Sequence, residues 1–277
     1  MKDFVYIAPS FAREECINSI MSIRYSAGGL SFSIRKGNEI LLLFSKRASF
    51  SSYDERYGAL QECLKTYNID GIKFERVKVY ETSGLRLLMP SDEFNSDRRD
   101  VWLRTLCDNQ PINTYSLNET IEVCRATLIS YQSNDLQKQF IDSANSVVVR
   151  SLASAFIENS VASVPAKNRG YWLFVEYSKG FADVLLMKGK DMLFYNMYQI
   201  TQSEELLFYL LKVLELHNVK GAVNAVFSGE TMNADDMIFA TLKRYIPSFS
   251  LAANVVLKSI CNNDNVEVMP LFVHLIN

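Results

Sequence analysis

The stretch Arg24-Tyr-Ser-Ala-Gly28-Gly-Leu-Ser-Phe-Ser-Ile-Arg-Lys-Gly37-Asn-Glu-Ile-Leu-Leu-Leu-Phe44 has a diverged second copy in the same chain. That copy reads Glu176-Tyr-Ser-Lys-Gly180-Phe-Ala-Asp-Val-Leu-Leu-Met-Lys-Gly189-Lys-Asp-Met-Leu-Phe-Tyr-Asn196. The two align without a gap at a constant offset of 152 residues, as from Gly28 to Gly180. The identical positions are Tyr25/Tyr177, Ser26/Ser178, Gly28/Gly180, Lys36/Lys188, Gly37/Gly189 and Leu41/Leu193. We therefore expect two copies of one structural unit.

Most of these identities fall on or beside two turns, where glycine supplies backbone angles that other residues resist. Apolar, strand-like runs precede, separate and follow the turns in each copy. Three consecutive strands joined by two tight turns form an antiparallel meander. The sequence thus predicts one meander over residues 19–45 and another over residues 171–197.

The likeness extends beyond the meanders. Each is followed by a helical pattern, then a strand, then a helix with acidic residues at its start. The predicted strands lie near 77–80 and 222–227, and the later helices near 97–107 and 235–245. The second copy's first helix starts at Thr201-Gln-Ser-Glu204, a capping-box pattern. Its apolar residues fall on nearly every side, which predicts burial between two layers.

Residues 111–167 have no counterpart in the second copy. Their patterns predict strands near 121–128 and 146–149, with helices near 134–141 and through Ile157. Pro165 to Gly170 has the composition of a linker. We expect a first domain over residues 1–165 and a second over residues 166–277.

Composition excludes several classes of function. The 277 residues are 48% apolar and 22% charged, with a net charge of −2, so no basic field would draw the chain to nucleic acid. No apolar run reaches the ~20 residues that a membrane span requires, and the start is not a signal peptide. Five scattered cysteines and two histidines, His217 and His274, predict neither a disulfide nor a metal site. A cytoplasmic protein with structural histidines is expected.

A meander followed by a helix, a strand and a helix resembles the ribonuclease H-like unit, and two units in one chain resemble the actin, hexokinase and chaperone-ATPase superfamily. On residues 21–34 and 173–209, the chain is identified as a member of the bacterial family named domain of unknown function 3822, which is similar to the pilus-assembly protein PilM. The resemblance implies the α/β class. It implies two ribonuclease H-like (actin-like ATPase) domains, each a mixed sheet that begins with a three-strand meander and carries packed helices.

In the ATPases of that superfamily the first turn of each unit carries Asp-x-Gly, whose carboxylate holds Mg²⁺ through water. The matching turns here read Ser26-Ala-Gly28 and Ser178-Lys-Gly180. A hydroxyl does not replace the charge that anchors Mg²⁺, so we predict no catalytic residues and no ATP turnover. Ser228-Gly-Glu230 stands where the resemblance places a glycine-rich adenosine loop, but one glycine favours a simple strand-to-helix turn. If the turns hold an anion or a nucleotide, the candidate residues are Ser26, Gly28, Ser178, Lys179, Gly180 and Gly229.

The leading functional hypothesis is a non-catalytic actin-like protein that serves as an interaction or scaffold module. It would need no cofactor, and its partner would be a protein or a peptide from a membrane protein. The alternative is a nucleotide-binding protein with weak ATPase or kinase activity in the interdomain cleft, with ATP as its ligand. A pseudo-two-fold axis would set Ser26 and Ser178 on opposite walls of that cleft, on the order of 10 Å apart. Tyr25 and Tyr177 are expected to fill it.

Overall fold

A computed structural model describes residues 3–26, 28–50, 52–82, 85–106, 110–178, 180–230, 242–252, 257–258 and 272–275. Its helices and strands, in chain order, are β1 (Phe4–Ile7), α1 (Arg13–Cys16), β2 (Ile20–Ser26), β3 (Gly29–Lys36), β4 (Glu39–Arg47), α2 (Tyr53–Thr66), β5 (Phe74–Glu81), β6 (Arg86–Pro90), α3 (Arg99–Leu103), β7 (Thr114–Ile121), β8 (Ala126–Ser133), α4 (Asn134–Lys138), β9 (Ala144–Ser151), α5 (Leu152–Ser163), β10 (Tyr171–Ser178), β11 (Phe181–Lys188), β12 (Asp191–Gln199), α6 (Ser203–Leu216), β13 (Val223–Gly229) and β14 (Phe249–Leu251). The helix predicted near 235–245 falls mostly outside the described residues.

The two predicted meanders are confirmed. Strands β2, β3 and β4 pair antiparallel in sequence, and so do β10, β11 and β12. The pairing register shifts between Ile34 and Arg35 in the first meander and between Leu186 and Met187 in the second. These positions differ by the same 152 residues, so the copies share a β-bulge as well as a strand order.

Each meander is the antiparallel part of a mixed sheet. The first sheet has the order β1-β4-β3-β2-β5-β9, and the second has the order β12-β11-β10-β13-β14. Strand β2 pairs in parallel with β5, and β10 pairs in parallel with β13. Apart from β1, the two sheets have the same strand order and directions, as duplicated ribonuclease H-like units require. Strand β9 therefore has a counterpart in β14, so the expectation that residues 111–167 have no counterpart in the second copy is wrong for this strand. The predicted α/β class is confirmed.

A third, antiparallel sheet with the order β6-β8-β7 lies in the chain between β5 and β9. Strand β6 was not predicted from the sequence. The single strand predicted near 121–128 covers the end of β7 and the start of β8. The break is a short turn that ends at Arg125, whose φ is +51°. Apolar residues continue through this turn, so alternation alone did not reveal it.

Helix α5 separates the two large sheets. Leu152 and Ala155 pack into the core formed on the first sheet. Phe156 and Ile157 pack into the core formed on the second. A helix with apolar residues all round fits this position, because both of its sides are covered.

Helix α6 does not lie between layers, so that prediction is wrong. Leu206, Leu210 and Val213 pack on the second sheet. Phe208 is 61% exposed and Leu216 is 64% exposed on the outer side of the helix. Apolar composition showed that one side is buried but could not show that a second layer covers the other.

Two smaller expectations also need correction. The capping box of α6 uses the side chains of Gln202 and Glu205, one residue later than predicted. The apolar run at residues 271–276 predicts a strand, but its described part, 272–275, is helix and turn. Phe272 and Leu275 pack into the core on the first sheet, so the end of the chain contacts that sheet.

Candidate functional site

The candidate site lies where the first turns of the two meanders meet. Strand alternation directs Met21, Ile23 and Tyr25 into the core beneath the first sheet. Ser22, Arg24 and Ser26 point to the opposite face and are also buried. A buried polar face on a central strand requires polar partners from whatever covers it.

Arg24 finds its partner on the second sheet. Its Nη1 lies 2.6 Å from Oε1 of Glu176, and both side chains are almost fully buried. Its Nη2 donates to Oγ of Ser178 at 3.0 Å and to the carbonyl oxygen of Tyr177 at 3.4 Å. The candidate Ser178 is therefore bound by an arginine of the other domain.

Glu176 joins a longer polar chain. Nε2 of His274 lies 3.1 Å from Oε2 of Glu176, and Nδ1 of the same ring lies 2.9 Å from the amide nitrogen of Asn159. Burial raises the pKa of Glu176, but the Arg24 guanidinium and the His274 hydrogen bond outweigh burial and lower it overall. Glu176 is thus held as a carboxylate inside the protein. His274 has the structural role that was expected of it.

The first turn is occupied by a side chain of the second domain. The backbone N–H of Gly28 donates to Oε1 of Glu230 at 3.2 Å. A Cβ added to Gly28 would stand 2.2 Å from Oε2 of Glu230, so this close approach requires glycine. Ser26 is buried, and its Oγ donates to the carbonyl oxygen of Gly29 at 3.3 Å. The N–H group of Gly28, one of the candidate residues, is therefore bound by a carboxylate of the protein itself.

Strand β13 positions Glu230. The backbone N–H of Glu230 donates to the carbonyl oxygen of Tyr177 at 2.8 Å, and this hydrogen bond continues the parallel pairing of β13 with β10. Gly229 has a φ of +100°, and a Cβ there would stand 2.1 Å from the same carbonyl oxygen. Gly229 allows the chain to turn so that the Glu230 carboxylate reaches Gly28.

The second turn is more open. Gly180 has a φ of +89°, and an added Cβ would meet no atom within 4 Å. Lys179 lies outside the described residues. The structure thus brings Gly28, Ser178 and Gly229 to one interdomain region through Arg24 and Glu230. The predicted separation of Ser26 and Ser178 stays a prediction.

Tyr25 and Tyr177 do not fill the cleft, contrary to expectation. Tyr25 lies in the core beneath the first sheet, and Tyr177 packs against the core beneath the second. Alternate side chains of β2 and β10, including Arg24 and Glu176, face the other domain. Tyr25 and Tyr177 are the next residues along these strands, so their side chains point to the opposite face. Arg24 and Glu176, each one residue earlier, occupy the space instead.

A second buried charge cluster joins the third sheet to the second. The Arg86 guanidinium on β6 forms an ion pair with Asp183 on β11. The hydroxyl of Tyr195 donates to Oδ1 of Asp183 at 2.6 Å. Burial alone would lower the pKa of Arg86, but Asp183 and Tyr195 raise it. The cluster fixes β6 beside the second sheet.

Arg24 and Arg86, the partners of Glu176 and Asp183, were not predicted from the sequence, and neither was the role of Glu230. The alternation Ser22-x-Arg24-x-Ser26 on a strand whose other face is apolar was the available signal. It marks a buried polar interface, although it does not identify the residues across it.

Within the described part of the chain, no group of three or more His, Cys, Asp or Glu side chains has an arrangement that could hold a metal ion. Cys16, Cys63 and Cys124 are free thiols, and burial raises the pKa of Cys16 and Cys63 to about 11. Such protonated, buried thiols pack as small apolar groups. Cys107 and Cys261 lie outside the described residues. None of the described helices has the length and apolar character of a membrane span.

The duplicated mixed sheets, the helix between them and the paired first turns define a protein of the actin-like ATPase fold. The chain belongs to the family described as protein of unknown function (DUF3822), whose model matches residues 9–249. No curated protein matches the sequence.

Two solved structures resemble the whole chain. One is a Bacteroides thetaiotaomicron VPI-5482 protein with an actin-like ATPase fold and unknown function, at a TM-score of 0.72 and 16% identity, covering 94% of this chain and 98% of that one. The other is the PilM-PilN type IV pilus biogenesis complex, at a TM-score of 0.67 and 11% identity, covering 94% of this chain and 97% of that one. At these identities the likeness shows the fold.

Proposed function

We propose that this chain is a non-catalytic actin-like protein that acts as an interaction or scaffold module. The observation that carries the proposal is the Glu230 carboxylate on the Gly28 N–H. A phosphate bound at this turn would need the same N–H group, which already donates to Glu230, and the carboxylate would repel the phosphate. Neither first turn supplies a carboxylate for Mg²⁺, because Ser26 and Ser178 stand at those positions.

The Arg24–Glu176 pair supports the same conclusion. The two side chains are buried in the space between the domains, and Arg24 also donates to Ser178. A nucleotide bound there would have to displace these side chains and replace the contacts that they make.

The partner we propose is a protein or a peptide, and a membrane protein is its proposed source. The support is the structural likeness to PilM, which was solved as a complex with PilN. We place the chain in the cytoplasm, in keeping with its free buried thiols.

We further propose domains over residues 1–165 and 166–277. The support is the position of the intervening segment, because α5 ends at Ser163 and β10 begins at Tyr171. Limited proteolysis of the native protein should cut first within 164–170, and a first cut inside either large sheet would contradict this division.

One observation favours the alternative, nucleotide or anion binding. The second turn at Gly180 is open around its Cβ position, in contrast to the first. An anion there would approach Gly180 without displacing Glu230.

Thermal melting with and without Mg-ATP, together with phosphate release, tests the two functions. A ligand at a hundred times its dissociation constant adds about 2.7 kcal/mol of stability, a shift that is readily measured. We expect no shift and no release above buffer. Phosphate release that Gly180→Ala abolishes would establish the alternative and overturn the proposal.

A further inference from the structure

A groove of about 340 Å³ lies between the third sheet and the second sheet, away from the turns described above. Three short segments line it: residues 88–90 of β6, residues 124–126 before and at the start of β8, and residues 192–195 of β12. The Arg86–Asp183 ion pair holds β6 and the second sheet together nearby.

The groove is bordered by strand edges. Successive side chains of a regular strand point to opposite faces, so consecutive residues line one cavity where the strand's edge borders it or where a bulge interrupts the alternation, as at Leu193. Residues 88–90 and 192–195 are both consecutive runs. Among the described strands, β12 ends the five-stranded sheet and β6 ends the three-stranded sheet. Two open sheet edges therefore face the same groove.

The edge of β12 has one of the features that hinder strand pairing. Proteins protect open edges with short strands, lysines, prolines or bulges. A β-bulge lies at Leu193, between the pairs Leu186–Phe194 and Met187–Met192. Beyond the bulge, residues 194–199 of this nine-residue strand include no lysine or proline, and Asp191 at its start is its one acidic or basic residue. Leu193 is 38% exposed beside the groove. On β6, by contrast, Pro90 removes a backbone donor.

We propose that the groove binds an extended segment of a partner protein as an added strand on the outer edge of β12. A helix would not satisfy this edge, because its backbone groups are already bonded within the helix. An extended chain supplies N–H and C=O groups along its length. The proposal rests on the interaction-module function and gives it a location.

The groove also indicates the side chains of the partner. Its walls are about equally polar and apolar, and Leu88, Met89 and Phe194 are among the apolar residues. Arg125 is an exposed cation at the groove, and among the described residues it has no ion pair. The matching segment alternates apolar residues and carries a carboxylate that reaches Arg125.

Selection of displayed random twelve-residue peptides on the full chain tests this proposal, with counter-selection on Leu193→Asp. We expect enriched peptides that alternate apolar residues and contain Asp or Glu. Arg125→Glu should weaken their binding on the order of tenfold, because it replaces attraction by repulsion. Lys220→Glu, a change at an exposed cation that does not line the groove, is the matched control and should leave binding unchanged.

Hydrogen exchange supplies the structural readout. A bound peptide should protect the backbone amides of residues 191–199 from exchange. N-methylation of every second backbone nitrogen of the peptide should abolish binding if those nitrogens donate hydrogen bonds to β12. Failure to enrich any peptide overturns the proposal, as does binding that is insensitive to both Leu193→Asp and Arg125→Glu. Concentration-dependent dimerisation that Leu193→Asp abolishes would assign the edge to a second copy and also overturn it.

These outcomes are separable from the failure of the proposed function. Peptides that bind elsewhere on the chain would refute the β12 site and leave the interaction module intact. Mg-ATP turnover would refute the non-catalytic function whatever the groove binds.

Discussion

Arg24 and Glu176 occupy equivalent positions in the two copies of the repeat, 152 residues apart, and form a buried ion pair with 2.6 Å between Nη1 and Oε1. The pseudo-symmetry therefore places the same position of the repeat, taken once from each copy, in direct contact. Two identical charges would repel there, so the copies had to diverge to opposite signs. The pair joins the domains at the point where a nucleotide cleft would open.

The first prediction concerns this pair. Arg24→Met should lower the free energy of unfolding by about 3–5 kcal/mol, because it leaves Glu176 buried without its guanidinium. Arg24→Met with Glu176→Met should recover much of that loss. Urea denaturation of the three proteins measures the effect. Lys36→Met, which breaks the exposed pair with Glu15, is the control and should cost less than about 1 kcal/mol. A double variant less stable than Arg24→Met would contradict the explanation.

The second prediction concerns Glu81 at the end of β5. Burial raises its pKa to about 7, although the backbone N–H of Ser133 partly offsets this. The folded protein then binds a proton that the unfolded chain releases near pH 4.5. Stability from this group is complete below pH 4.5 and is lost as the pH rises to about 7.

Glu81→Gln should therefore be more stable than the native protein at pH 8, by an amount on the order of 2–3 kcal/mol, and about equal to it at pH 4.5. The Tyr53 hydroxyl donates to the Glu81 side chain, and the amide oxygen of the introduced glutamine can accept the same hydrogen bond. Chemical denaturation from pH 4.5 to pH 8 measures the difference. Glu62→Gln on the surface of α2 is the control, and an equal gain there would show that the effect is one of net charge.

The third prediction concerns the contact between Gly28 and Glu230. Gly28→Ala should cost about 1–3 kcal/mol, because the new methyl group displaces the carboxylate and leaves a backbone N–H without its acceptor. In a Glu230→Ala background the methyl group has room, so the same change should cost less. A double-mutant cycle of unfolding free energies gives the coupling. A coupling of zero would show that the carboxylate does not hold this turn.

The fourth prediction compares two glycines of positive φ. Gly180→Ala should cost about 1–2 kcal/mol, from backbone strain alone, because the space around its Cβ position is open. Gly229→Ala should cost about 3 kcal/mol or more, because its Cβ would also meet the carbonyl oxygen of Tyr177 at 2.1 Å. Thermal and urea unfolding measure both. Equal costs would mean that the close approach of β13 and β10 relaxes without penalty.

The meanders and the duplication could be predicted from the sequence because both are local. Gly28 and Gly180 mark turns, and alternation between turns gives strands, whatever lies around them. The same patterns gave the order of the helix and strand that follow each meander. The family resemblance then identified Ser26 and Ser178 as standing where its ATPases carry carboxylates.

Tertiary structure decided which surfaces are covered. Apolar composition assigned α6 a place between layers, but α5 holds that place and Phe208 of α6 is exposed. The hydrophobic pattern of a helix shows which of its sides can be buried. Whether a side is buried depends on whether another sheet or helix packs against it. The strand edge at β12 is a property of sheet order for the same reason.

The contents of the site also depended on the tertiary structure. Alternation puts Arg24 and Tyr25 on opposite faces of β2, and Glu176 and Tyr177 on opposite faces of β10, but it does not tell which face meets the other domain, and the tyrosines were wrongly expected there. It could not bring Arg24 to Glu176, or Glu230 to Gly28, because pairing across 152 and 202 residues follows from how the two sheets close on α5. The sequence thus determined the repeated unit and its missing carboxylates. The packing of the copies decided that their own charges would fill the cleft, because a buried charge must find its partner within the fold.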